Sequence, residues 1–363
     1  MRFNVNKEQL VKGIQIVQNI VGSKSNLPIL SYLSIETYNN NIHITTTDLD
    51  IGIICELPAN IEEIGKIVLP AKKFGDIIKE FPEDVISINT KKNNLTLIES
   101  KQCQFKLMGL PYEEFPKLPK FTNQEIIKIN QEDLKRMLSL VSFAVSYDET
   151  RYVLSGILCQ VQKDNISLTA TDGKRLTFYQ KKLTQGVNKN IEMIIPIKTI
   201  HELNRNLTEE GEVIVSIGAN QILMDFGKIQ IISRLIEGEF PDCTQIIPPV
   251  SPNKIKIERE QFLLAIKRAS LLSTPDYQAV KLEVLKNKLV ISKSTPDIGE
   301  SREELSCEYT GKDMIIGFNP NYLIDVLKNL EDEFIEFEIT DSEKPGVIRS
   351  DGYIYLVLPM KLA

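Results

Sequence analysis

The sequence predicts an α+β chain of three tandem, similar domains, each with two helices packed on antiparallel sheet. Two recurrences predict it. Phe3-Asn4-Val5-Asn6-Lys7-Glu8-Gln9-Leu10, Ile127-Lys128-Ile129-Asn130-Gln131-Glu132-Asp133-Leu134 and Ile255-Lys256-Ile257-Glu258-Arg259-Glu260-Gln261-Phe262 share one pattern: a short alternating strand, a polar helix start, then a helix. The steps are 124 residues from Val5 to Ile129 and 128 from Ile129 to Ile257. The second recurrence lies about 65 residues into each unit, at Leu69-Pro70-Ala71-Lys72-Lys73-Phe74, Ile195-Pro196-Ile197-Lys198-Thr199-Ile200 and Phe318-Asn319-Pro320-Asn321-Tyr322-Leu323.

The first helix of each unit carries one apolar stripe. Leu10, Ile14, Val17 and Val21 stand at offsets 0, 4, 7 and 11, and Leu134, Leu138, Val141 and Val145 repeat them. Phe262, Ile266 and Ala269 repeat the first three, with Leu272 following. Alternating strands come next: Ile42-His43-Ile44-Thr45, Ile166-Ser167-Leu168-Thr169 and Leu289-Val290-Ile291-Ser292 each present one apolar and one polar face. The second helix starts at a proline, where a missing N–H costs least. Phe115-Pro116-Lys117-Leu118-Pro119 and Ile247-Pro248-Pro249-Val250-Ser251-Pro252 read as stiff linkers. The expected domains are therefore 1–120, 121–250 and 251–363. Similar units in a row curve, and if the third end resembles the first, chains can join head to tail.

Composition narrows the function. The 363 residues carry a net charge of -6, and the pI is about 5.4, so nucleic acid is not gripped by the whole surface. No apolar run approaches the roughly 18 residues of a membrane helix. The N-terminus lacks a charged-then-apolar leader pattern, so a cytoplasmic protein without a membrane partner is expected. Cys55, Cys103, Cys159, Cys243 and Cys307 are scattered and form no CxxC. The two histidines, His43 and His201, have no ligand-spaced partners. No phosphate-loop or dinucleotide fingerprint occurs. No catalytic residue, metal ligand or cofactor site is expected, and the chain reads as non-enzymatic.

Lys79, Arg205 and Lys328 occupy equivalent positions on the second helices. They suit a basic face shown three times to a polyanion. The same spacing suits surface ion pairs with Asp76, Glu202 and Asp325, three residues earlier.

Several segments go beyond pattern: Leu27-Pro28-Ile29-Leu30, Thr47-Asp48-Leu49, Thr150-Arg151-Tyr152-Val153-Leu154-Ser155-Gly156, Ala170-Thr171-Asp172-Gly173-Lys174-Arg175-Leu176, Gly238-Glu239-Phe240-Pro241-Asp242 and Tyr355-Leu356-Val357-Leu358-Pro359-Met360-Lys361-Leu362. In order and spacing they resemble the bacterial sliding clamps, the β subunits of DNA polymerase III, along the whole chain. The resemblance implies a head-to-tail homodimer, a six-domain ring around double-stranded DNA held by topology and without sequence preference. The implied function is a processivity factor that tethers DNA polymerase III, other polymerases and repair proteins through short peptide motifs, and that a clamp loader opens. The competing reading is a tandem-repeat interaction scaffold that never encircles DNA.

By the same resemblance, the peptide pocket comprises Arg151, Tyr152, Leu154, Thr171, Gly173, Lys174, Arg175, Leu176, Pro241, Ile246, Val357, Leu358, Pro359, Met360, Lys361 and Leu362, flanked by Tyr277, Asn319 and Tyr322. Arg151 and Arg175 are expected to orient the peptide. Cys243, Gln245, Val153 and Ala363 depart from the usual pattern and bear on peptide preference. The ring joint is expected to set Phe105 and Leu107 against Leu271 and Leu272, with Glu300, Glu303 and Glu304 opposite Lys72, Lys73 or Lys101. DNA is expected to meet Lys24, then Lys79, Lys198 and Arg205.

Overall fold

A computed structural model describes residues 1–22, 27–119, 121, 125–187 and 189–362. Among the described residues, six α-helices recur in pairs: α1 Lys7–Gln18, α2 Ala71–Glu80, α3 Gln131–Val141, α4 Ile197–Asn206, α5 Arg259–Ser270 and α6 Pro320–Asn329. Each odd-numbered helix follows directly on a strand, Arg2–Asn6, Glu125–Asn130 or Lys254–Glu258, as the alternating openers predict. The Asn6 side chain accepts a hydrogen bond from the Gln9 amide and caps α1. The Asn319 side chain accepts from the Asn321 amide ahead of Pro320, the first residue of α6.

The stripe is the core. Leu10, Ile14, Val17, Leu134, Leu138, Val141, Phe262, Ile266 and Ala269 are all buried. Val21 and Leu272, at the last offsets, lie beyond their helix ends and are only half-buried. Helix α1 packs on α2, and α5 on α6.

The chain folds into two compact units, Met1–Leu134 with Lys198–Leu235, and Lys135–Ile197 with Ile236 onward. In the first, Ile229–Arg234 pairs antiparallel with Ile51–Pro58 and completes an eight-stranded sheet. In the second, Arg175–Lys182 pairs with Tyr353–Val357 in a sheet of the same size. Strands of successive repeats thus share one sheet. The first unit also holds a five-stranded sheet edged by Cys103–Met108, and the second a four-stranded sheet edged by Gly299–Ser306.

The repeat extends to single bonds. Isolated bridges Val68↔Leu110, Ile194↔Ile236 and Gly317↔Met360 sit at equivalent places. The proline-rich segments are docked and are not free spacers. Phe115 is buried, and a Cβ on Gly52 would lie 2.5 Å from a Leu118 methyl. Arg349 donates to the Pro248 carbonyl, and the Ser251 amide donates to the buried Glu338 carboxylate.

Truncating the stripe tests this core. Phe262→Ala should destabilise the protein by about 3–5 kcal/mol and Leu10→Ala by about 2–5 kcal/mol. The exposed Lys92→Ala should change stability by less than about 0.5 kcal/mol. Urea unfolding followed by far-UV circular dichroism reads all three, and equal midpoints would contradict the assignment.

Candidate functional site

The strand Asn165–Thr171 turns into Arg175–Lys182 through a tight loop that a short polar sequence specifies. Thr171 Oγ1 donates to the Arg175 carbonyl (2.6 Å) and accepts from the Gly173 amide (3.0 Å). Asp172 Oδ1 accepts from the amides of Lys174 (2.9 Å) and Arg175 (3.0 Å). Gly173 has φ 85°, and a Cβ there would stand 2.7 Å from Arg151 Nη1. That space lets Arg151 lie across the turn and donate to the Asp172 carbonyl at 3.1 Å. The first unit makes the same turn. Thr47 Oγ1 donates to the Ile51 carbonyl, and Asp48 Oδ1 accepts from the Asp50 and Ile51 amides, with Leu49 at φ 78° where Gly173 stands.

Apolar groups surround the 171–176 turn. Leu176 is buried with Val347 and Leu356, and Cys243, Phe178 and Ile247 pack on that cluster. Leu154 and Val153 pack on Leu158, Ile194, Ile236 and Phe240, and Cys243 touches this cluster too. Cys243 therefore joins two apolar walls. Burial, then the nearby Asp242, pushes its thiol up to about 11. Gln245 donates to Asp242 Oδ2 (2.9 Å), and a Cβ on Gly238 would press on Val153 at 2.8 Å. Ala363 and Lys24 lie outside the described residues.

The C-terminal segment runs beside the turn. The Leu358 amide donates to the Lys174 carbonyl (2.9 Å), and the Met360 amide to the Gly317 carbonyl (2.8 Å). Val357 is buried, Pro359 and Met360 are half-buried, and Leu358, Lys361 and Leu362 are exposed. Tyr152, at 61% exposure, and Ile246 also face solvent, as does Pro241. Tyr277, Lys281, Lys293, Met360 and Leu362 line a cavity of about 550 Å³ beside the tail.

Arg175 departs from the sequence reading. It is 8% exposed, and its fork is engaged with the protein. Nε donates to Asp172 Oδ2 (3.1 Å), Nη1 to Asp325 Oδ2 (2.6 Å) and Nη2 to the Phe143 carbonyl (2.6 Å). Its guanidinium lies 4.4 Å from the Tyr322 ring centroid. Burial pulls its pKa down, while the Asp325 hydrogen bond and the negative charges of Asp325 and Asp172 push it up, for a net rise. Arg175 holds the turn and leaves Arg151, about half-exposed, as the arginine facing outward. Sequence reasoning singled out Asp325 only as a partner for Lys328, and it passed over Asp172. The recurrence of Thr-Asp at 47–48 and 171–172 was the available signal for the latter.

The cations expected to face DNA divide. Lys79 is exposed in the last turn of α2, without a carboxylate partner among the described residues. Lys198 Nζ is bound to Asp48 Oδ2, and Arg205 to Glu202 Oε1 at 2.5 Å. The i,i+3 pairing is realised at Arg205–Glu202 and not at Lys79–Asp76 or Lys328–Asp325.

At the strand edges, Leu271 is 81% exposed, and Leu272 is half-buried with its carbonyl accepting from Thr295 Oγ1 (2.6 Å). Phe105 lies on the Cys103–Met108 edge with its ring 5.6 Å from Phe81, and Leu107 is half-buried beside it. Glu303 accepts from Arg268 Nε and Nη2 (2.8 and 2.5 Å), which lowers its pKa. Glu304 meets Arg302 (2.6 Å) and Lys288 (3.4 Å), and Glu300 accepts from Ser294 Oγ (3.3 Å). Lys101 lies 3.8 Å from Glu83. These acids already have partners within their own unit.

Comparison with known proteins covers the chain end to end. Family profiles for the DNA polymerase III beta subunit match at residues 1–119 (N-terminal domain), 128–242 (central domain) and 244–361 (C-terminal domain). The beta sliding clamp of Chlamydia pneumoniae is 32% identical over 363 residues, covering 100% of this chain and 99% of the relative. That of Staphylococcus aureus is 31% identical over 375 residues, covering 99% of each. The DNA polymerase sliding clamp of Bacillus subtilis superposes with a TM-score of 0.96 at 32% identity over the whole of both chains. The Pseudomonas aeruginosa clamp bound to griselimycin gives 0.95 at 31%, again over both whole chains. Three matched domains in order, and relatives above 30% identity along the full length, place the chain in the DNA polymerase III beta-subunit family, the bacterial sliding clamps.

Proposed function

We propose that this sliding clamp acts as half of a head-to-tail ring closed around duplex DNA, and that the surface around the 171–176 turn takes short apolar peptides from polymerases and repair proteins. The observation that carries the peptide reading is a set of exposed and half-buried apolar groups, Tyr152, Leu154, Ile246, Leu358, Met360 and Leu362, on segments of which two are hydrogen-bonded to the 171–176 turn through Arg151 and Leu358. Leucine and methionine side chains there give an adaptable surface for a partner's leucine and aromatic anchors. The relative from Pseudomonas aeruginosa, solved with griselimycin, supports a ligand site in this family.

Two open sheet edges support the ring. Cys103–Met108 and Gly299–Ser306 each end a sheet with unpaired backbone groups, and the second is tied to the end of α5 by Arg268–Glu303, three residues before the exposed Leu271. Such edges pair readily with another chain. Joining the first edge of one copy to the second of the next is a heterologous contact, which closes when its rotations sum to a full turn. The domain limits 1–120, 121–250 and 251–363 belong to this reading, as do a clamp loader that opens the joint and a cytoplasmic, non-catalytic role. No helix among the described residues is long and apolar enough to cross a membrane.

Sliding asks for weak phosphate attraction, because each neutralised phosphate adds affinity. Lys198 and Arg205 keep carboxylate partners, which softens the charge they offer.

Three outcomes test these readings. A labelled Gln-Leu-x-Leu-Phe peptide should bind saturably by fluorescence anisotropy and lose at least about tenfold in affinity to Met360→Asp, as truncated hot spots do. No binding to the parent would remove the pocket. Sedimentation should give a mass near twice 41.2 kDa, falling to one chain when Leu271 and Leu272 both become Asp. A dimer that persists in that variant would move the joint elsewhere. Retention should be much longer on closed circular DNA than on a linear fragment, and equal lifetimes would favour the scaffold reading.

A further inference from the structure

We infer that Asp325 is a positioning residue of the proposed peptide pocket, setting the 171–176 turn through the Arg175 fork. The inference rests on the pocket reading above. Asp325 sits in α6, one turn after Tyr322. Its Oδ2 accepts from Arg175 Nη1 at 2.6 Å, and Arg175 Nε donates to Asp172 Oδ2, while the other oxygen of Asp172 holds the backbone of the turn. The third arm of the fork ends on the Phe143 carbonyl. One buried cation therefore fixes the distance between α6 and the turn.

Two further contacts spread that constraint. Tyr322 has its ring against the guanidinium, and its carbonyl accepts from Tyr355 OH at 2.8 Å, so the start of α6 is held from both sides. Leu358 follows the turn because its amide donates to the Lys174 carbonyl. A shift of the turn moves the Leu176 wall and the tail together.

The first unit supplies the comparison. It has the same Thr-Asp turn, yet Ile51 stands where Arg175 does, so no fork exists. Asp48 Oδ2 takes Lys198 from α4 instead. Glu202, the α4 counterpart of Asp325, accepts from its own helix neighbour Arg205, and its second oxygen has no hydrogen-bond partner among the described residues. Of these two turns, the one beside the apolar tail has the three-armed link to a helix. A guanidinium suits that task because its planar donors are fixed relative to one another, whereas a lysine offers a single point of charge.

The test uses the full-length protein and the labelled Gln-Leu-x-Leu-Phe peptide. Asp325→Asn should weaken binding by about tenfold or more, as expected when a charged hydrogen bond loses its partner. Asp325→Glu, which keeps the carboxylate, should stay within about threefold of the parent. Hydrogen exchange of the Gly173, Lys174 and Arg175 amides, measured without peptide, should quicken in Asp325→Asn, a change that a site far from the turn would not produce. If Asp325→Asn fails to fold, Arg175→Lys keeps the charge, removes the fork and should show the same faster exchange and weaker binding. Parent-like affinity and exchange in the folded variant would overturn the inference while leaving the pocket in place. Absence of peptide binding by the parent itself would overturn both, and thereby separates the two failures.

Discussion

Antiparallel pairing between strands of successive repeats fixes what lies around it. In the second unit, Thr177 faces Tyr355 and Arg175 faces Val357. In the first, Ile231 faces Ile53. A slip of one residue would turn every inward side chain outward. Tyr355, fully buried, would then leave the Tyr322 carbonyl that it holds, and the Thr171–Arg175 turn would no longer lie beside the tail. Sheet register is therefore the constraint from which the turn, the helix α6 and the C-terminal segment take their places.

Buried charge is the second layer. Arg175 is surrounded by two carboxylates, a carbonyl and an aromatic ring, which compensates its loss of water. Removing one partner from such a pair costs about 3–5 kcal/mol, far more than an exposed pair contributes. The exposed pairs, Arg302–Glu304 and Lys288–Glu304 among them, add little to stability. They do fix which charges remain available: Lys79 stays open, whereas Arg268 is committed to Glu303.

Much of this was legible in the sequence, and the reasons are local. Leu10, Ile14 and Val17 announce α1 because helical period depends only on near neighbours, and the same holds for Leu134–Val141 and Phe262–Ala269. The strand at 165–171 shows itself by alternation. Alternation is silent about the partner strand, so the sharing of one sheet by successive repeats was hidden. So was the docking of Leu118 on Gly52 and of Pro248 beside Arg349, because proline fixes backbone shape and not contacts. For the candidate site, motif order pointed to the turn and the tail, which the fold sets side by side through the Leu358–Lys174 bond. The role of Arg175 was misjudged because whether an arginine reaches outward depends on carboxylates 3 and 150 residues away.

The cysteine between the two apolar walls has a chemical consequence. With its thiol pushed up to about 11, Cys243 is almost wholly protonated at neutral pH. Alkylating reagents and peroxide act on the ionised form, so this sulfur meets them slowly even at the rim of an accessible surface.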